Sequence, residues 1–97
     1  MEWKIEMDED AYREIEDAAD YYFQKNPALA DRIGSEISKA LRSISINPFF
    51  AIRYGNIRCL PLRSFPYMIH FKVDQNTKTV SVLGCIHTSL DPDKNWR

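Results

Sequence analysis

Residues 67–86 read YMIHFKVDQNTKTVSVLGCI, and this stretch decides the fold class. Tyr67, Ile69, Phe71 and Val73 alternate with Met68, His70 and Lys72, the two-residue period of a β-strand. Asp74–Lys78 then supply a polar turn, and Thr79–Ile86 return as a second strand rich in β-branched residues. The segment predicts a β-hairpin.

Upstream of the hairpin, Ile57–Arg63 reads as a further strand, and Pro61 within it argues for an edge or a bulge, because proline cannot donate to a ladder. Phe65-Pro66-Tyr67 turns the chain from that strand into the hairpin, and residues 53–56 read as a turn region. At the N-terminus Trp3, Ile5 and Met7 alternate with Glu2, Lys4 and Glu6, which predicts a strand over 2–7.

Between these strand regions the period changes. Asp8 offers an N-cap and Glu9 and Asp10 place acid in the first turn, so a helix is expected from about Glu9 to Lys25. Its stripe is Ala11, Ile15, Ala18, Ala19 and Tyr22. Asn26-Pro27 closes that helix and opens a second, whose stripe of Leu29, Ile33, Ile37, Ala40, Leu41 and Ile44 ends before Asn47-Pro48. Gly34 costs the second helix roughly 1 kcal/mol relative to alanine and marks a place for close helix contact. The order β-α-α-β-β-β predicts an α+β fold: one domain over residues 1–97, with a helical hairpin packed on one face of an antiparallel sheet.

Composition bounds the function. The 97 residues are 44% hydrophobic and 28% charged, ordinary for a globular chain with one core. The sequence holds no run of about 18 apolar residues, and MEWKIEMDED carries acids where a signal peptide carries bases, so a cytoplasmic protein without membrane association is expected. Cys59 and Cys85 lie in apolar strand segments and are expected to be reduced, buried thiols. Cys85 and His87 form the only close pair of potential zinc ligands, which does not match the two closely spaced pairs of a structural zinc site; no metal and no cofactor are expected. The net charge of -1 conceals an asymmetry: residues 1–46 hold six Lys/Arg against eleven Asp/Glu, and residues 47–97 hold seven against three. An anionic partner would meet the back half.

Four stretches, AYREIEDAADYY at 11–22, NPALADRI at 26–33, LRSFPYMIHF at 62–71 and VLGCIHTSLDPDKNW at 82–96, give the chain its resemblance to the RelE/ParE toxin superfamily, on the plasmid-stabilisation, ParE-like branch. The resemblance spans nearly the whole length. It implies the toxic half of a bacterial type II toxin-antitoxin pair, neutralised by a co-encoded antitoxin in a hetero-oligomer. It also implies one of two targets, DNA gyrase or messenger RNA on the ribosome, which share one fold.

The resemblance places candidate residues as well. Ribonucleases of the superfamily set Arg and Lys on the sheet and a proton-transferring side chain near the last strand. On that pattern Arg63 and His87 would be the catalytic pair of a ribonuclease, with Arg53, Arg58 and Arg63 forming a basic surface. Thr88 and Ser89-Leu90 stand where those ribonucleases carry tyrosine and arginine, and the sequence pI near 6.1 speaks against phosphate-driven binding as the main mode. Inhibition of gyrase or another protein target is therefore the expected activity, with a messenger endoribonuclease and a non-toxic antitoxin-binding descendant as the alternatives. Trp96 would close a core edge, and apolar residues beyond what a sheet covered on one face can bury would form the partner site.

Overall fold

A computed structural model describes residues 2–49 and 52–88, with the backbone alone for residues 52–54. The elements run β1 (Lys4–Met7), α1 (Glu9–Lys25), α2 (Pro27–Ile46), β2 (Ile52–Tyr54), β3 (Ile57–Pro61), β4 (Tyr67–Asp74) and β5 (Thr79–His87). The sheet order is β1-β5-β4-β3-β2. The α+β class and the helical hairpin on the sheet are as the sequence indicates. Two details differ. The sheet is mixed, because β1 runs parallel to β5. Residues 52–54, the last two of them read as part of a turn, form a short edge strand antiparallel to β3.

The parallel pair follows from connectivity: α1 and α2 carry the chain from β1 across the sheet, so β1 is free to align beside the last strand. Both helix boundaries match the capping residues. The Asn26 side chain accepts from the Ala28 amide at 3.0 Å, with Pro27 in the first turn of α2. Asp8 caps α1 through backbone geometry alone, without a side-chain hydrogen bond. Gly34 faces open space, and a Cβ built there meets nothing within 4 Å, so the expected close helix contact is not made.

One apolar cluster joins the layers. Ala11 and Ala18 of α1, with Ile33, Ile37 and Ile44 of α2, pack on Ile69, Phe71, Val80, Val82 and Cys85 of the sheet. The alanines keep α1 close to β5, and Trp3, Ile5 and Met7 extend the cluster at the β1 edge. Cys85 is buried as expected, whereas Cys59 is only half-buried on β3, and the two are not joined in a disulfide.

The β5 strand carries one irregularity. Phe71 pairs with Val82 but His70 pairs with Gly84, so Leu83 is one residue extra, a β-bulge beside a glycine. The helix-facing residues of β5 are Val80 and Val82 before it, and Cys85 and His87 after it. The bulge switches the parity of the strand and so decides which way its last residues point.

Candidate functional site

Three strands come together at the end of the sheet near the α1–α2 joint. The Leu62 amide donates to the Tyr67 carbonyl at 2.9 Å, Tyr67 is the register partner of His87, and the Thr88 amide donates to the Pro66 carbonyl at 2.8 Å. This places Arg63 and His87 at the same end of the sheet, flanking Tyr67. They are directed into different surroundings.

His87 lies edge-on to the Tyr67 ring, centroids 5.2 Å apart. Tyr67 in turn meets Tyr22 of α1 at 6.4 Å, and Tyr22 packs on Phe65 at 4.9 Å and Tyr21 at 5.0 Å. The result is an aromatic cluster beneath the C-terminal turn of α1. Burial, reinforced by the neighbouring Tyr22 and Cys85, pushes the Tyr67 phenol above its ordinary range, so it stays protonated. Tyr22 serves helix packing as the sequence suggests, while Tyr21 is 53% exposed with Lys25 5.0 Å over its ring.

Arg63 sits in the exposed β3–β4 loop and is oriented toward α2. The loop is pinned there by Glu36, whose Oε1 accepts from the Arg63 amide at 3.1 Å and the Ser64 amide at 3.0 Å. Partial burial alone would raise the Glu36 carboxyl. The Ser64 amide and hydroxyl, the Arg63 amide and the charge of Arg32 outweigh it and hold the group below its usual range. Beside this lock lies a groove of about 310 Å³ between α2 and β3, floored by Ala40, Leu60 and Leu62 and flanked by Lys39, Ser43 and Arg63.

Of the three arginines expected to form one basic surface, Arg58 and Arg63 are directed to different places. Arg58 faces the opposite end of the strand, its guanidinium 5.3 Å over the Phe49 ring, and Phe49 is edge-on to Trp3 at 5.4 Å. Arg58 and Arg63 are five residues apart, on the order of 16 Å along an extended chain. The side chain of Arg53 lies outside the described residues, as do residues 89–97, which include Leu90, Lys94, Trp96 and Arg97. Among the described residues no group of three or more His, Cys, Asp and Glu could hold a metal ion. No helix among them is long and apolar enough to cross a membrane.

Sequence reasoning missed Tyr67 as the neighbour of His87, and missed Glu36 and Lys39 as parts of a surface with Arg63. Gly84 was the available signal for the first, since an isolated glycine in a strand pattern suggests a bulge. Glu36, Lys39, Ala40 and Ser43 share one helix face at the spacing i, i+3, i+4, i+7, but nothing local says that this face meets a strand edge.

Two helices on one face of a small mixed sheet, with the first strand beside the last, are the architecture of the RelE/ParE-like toxins. The sequence matches the family described as ParE toxin of type II toxin-antitoxin system, parDE, over residues 5–92. The chain belongs to that family. Among solved structures it is similar to the chromosomal ParDE toxin-antitoxin system of P. aeruginosa, with a TM-score of 0.74 at 17% identity, covering 88% of this chain and 95% of that one. It is similar also to the toxin-antitoxin complex RelBE2 of Mycobacterium tuberculosis, TM-score 0.58 at 15% identity, covering 90% and 99%. The isolated E. coli RelE toxin aligns with a TM-score of 0.55 at 16% identity, covering 92% and 87%. These identities speak for the fold alone. No curated protein matches the sequence.

Proposed function

We propose that the chain acts as a ParE-type toxin that inhibits DNA gyrase through a protein surface and is neutralised by a co-encoded antitoxin. The observation that carries this reading is the divergence of Arg63 and His87. A ribonuclease needs a cation for the developing phosphorane charge and a proton-transfer group converging on one phosphate. Here the histidine ring is packed against Tyr67 under α1, while the arginine lies in a groove against α2. Tyr67, the aromatic beside His87, is held in its protonated form by burial and makes a poor proton donor.

A protein inhibitor asks less of these residues. It needs a complementary surface with a few anchors, and a near-neutral chain of net charge -1 suits that better than phosphate-driven binding. The ParDE name of one structural neighbour, together with the family match, supports both the toxin class and an antitoxin partner.

The test is supercoiling of relaxed plasmid by purified gyrase with the chain added at increasing concentration. Inhibition with accumulation of cleaved complex is expected, weakening as salt rises because the basic back half steers association. Unchanged supercoiling at micromolar toxin would remove gyrase as the target.

A further inference from the structure

The helical period fixes what α1 and α2 turn away from the sheet. The core takes Ala11 and Ala18 from α1 and Ile33, Ile37 and Ile44 from α2. One flank of α1 is committed to the sheet through Glu14, which reaches Cys85, and one flank of α2 through Glu36, which holds the β3–β4 loop. The opposite flanks therefore meet at an outer seam, with Tyr12, Ala19 and Phe23 on the α1 side and Ala30, Gly34 and Leu41 on the α2 side. Tyr12 and Phe23 are each more than half exposed, about 16 Å apart along the helix axis. Between them Gly34 presents no side chain, and a Cβ built there would meet nothing within 4 Å. Two aromatic rings thus stand exposed at the ends of a hollow between the helices.

Charge says what can lie on this face. Over Glu9–Lys25 six acids stand against two bases, whereas over Pro27–Ile46 three bases stand against two acids, one of which, Glu36, is turned into the loop. Acidic and basic helices side by side make a face that can complement itself. Two face-to-face arrangements keep the helices of two copies aligned. A twofold axis across the helices lays α1 on α1, acid against acid, and like charge opposes it. An axis parallel to the helices and above the seam lays each α1 antiparallel on the α2 of the other copy. Acid then meets base on both sides, and Tyr12 and Phe23 meet their own counterparts beside the axis. Two helices about 26 Å long and together about 20 Å wide offer about 500 Å² per copy, or about 1,000 Å² in all, the lower bound for a specific interface.

We propose that the outer face of the α1–α2 hairpin docks a second copy of this chain, the two related by a twofold axis parallel to the helices so that each acidic α1 lies on the other copy's basic α2. The inference goes beyond the proposed activity and is independent of which target the toxin attacks. The modest area makes the dimer reversible, with dissociation at micromolar concentration.

The experiment is sedimentation velocity of the purified chain from about 5 to about 500 μM, where a monomer–dimer equilibrium with a Kd of some tens of micromolar is expected. Three variants accompany it, each checked for native circular dichroism: Phe23→Ala, Asp17→Lys with Asp20→Lys, and Lys39→Glu. All four positions are exposed on the helices, so the fold should tolerate the changes. Phe23→Ala should weaken the dimer about tenfold. The double lysine variant sets base on base and Lys39→Glu sets acid on α1, so each alone should weaken the dimer about tenfold. An equimolar mixture of these two charge variants restores opposite charge on both sides of the axis and should associate as the native chain does. A chain that stays monomeric at about 500 μM overturns the proposal and leaves the face to a different partner. A dimer that all three variants leave within about twofold of native places the contact elsewhere and overturns it too. So does a mixture of the charge variants no more associated than its components, because α1 would then not lie on α2. None of these results bears on gyrase inhibition, which the supercoiling assay reads separately.

Discussion

Replacing Glu14 by alanine should destabilise the fold more than a surface carboxylate normally would. The reason is the mismatch in length between β1 and β5. Their pairing ends at Met7 and Val82, and the last bond on that side runs from the Asp8 amide to the Val82 carbonyl at 2.9 Å. Beyond it β5 has no strand on this side among the described residues, and the Cys85 amide would be a buried donor without a partner strand. Glu14 reaches down from α1 and accepts from that amide at 2.9 Å, and Cys85 is only 2% exposed. Removing the acceptor leaves the N–H desolvated, at a cost of about 1–3 kcal/mol, and alanine's better helix propensity returns only a few tenths. A net loss of about 2 kcal/mol lowers Tm by roughly 10 °C in a chain of this size. Glu14→Gln keeps a carbonyl oxygen at the same reach and should lose about 1 kcal/mol or less. Urea unfolding of the three proteins gives the ranking, and hydrogen exchange should show the Cys85 amide losing protection selectively in Glu14→Ala. If Glu14→Ala is no less stable than Glu14→Gln, a different group satisfies that amide and the reasoning fails.

Further outcomes are expected from the same geometry. Glu36 has its carboxyl held below the ordinary range in the folded state, so its contribution is fully present above the unfolded value near ~4.3 and is lost as pH falls through the lower folded value. Glu36→Gln should therefore be less stable at pH 7 by about 1 kcal/mol, a modest figure because the group is largely solvated, and the gap should close on acidification; a gap that persists at pH 3 refutes this. The Cys85 thiol is pushed up to about 12, chiefly by burial and then by Glu14, so alkylation at pH 8 should modify Cys59 in the native protein and Cys85 only after unfolding. Mass spectrometry showing both thiols modified at equal rates under native conditions would contradict that. Ile69→Ala, at a fully buried position in the central strand, should cost about 3 kcal/mol in urea unfolding, and a loss under 1 kcal/mol would show that the core collapses around the gap.

The parts of this fold legible in the sequence are those fixed by local periodicity. The helix ends at Lys25 and Ile46 follow from Asn26-Pro27 and Asn47-Pro48, and the β4–β5 hairpin follows from two alternating runs around a polar turn. The parallel β1–β5 pair was not legible, because strand neighbours depend on how the whole chain closes. The surroundings of the candidate site residues depend on the same closure. Arg63 and His87 were matched by position along the chain, yet the side chain's direction depends on the Leu83 bulge, which turns His87 toward α1 and Tyr67. A single inserted residue moves a histidine from one face of a sheet to the other. Likewise Glu36 looked like one acid among many on a helix, and only tertiary structure shows it holding a loop 27 residues away.

The two interior strands beside the edges pose one physical problem, and the chain answers it differently on each side. The described register of each edge strand covers only part of its neighbour: β1 pairs with Thr79–Val82 of β5, and β2 with Ile57 and Arg58 of β3. Exposed strand edges invite unwanted pairing, so each must be covered or blunted. Beside β5 the answer is internal, since α1 lies close and Glu14 takes the Cys85 amide. On the β3 side Pro61 offers no N–H at the end of the strand, and α2 stands far enough away to leave the groove that Lys39 and Arg63 flank. The roles of the two margins are therefore separable. A change at Glu14 should act on stability and leave the groove intact, whereas a charge reversal at Lys39 should leave stability within about 0.5 kcal/mol, as expected of an exposed position. Were the Lys39 substitution to cost as much stability as Glu14→Ala in urea unfolding, the two margins would be coupled through the core and the separation would fail.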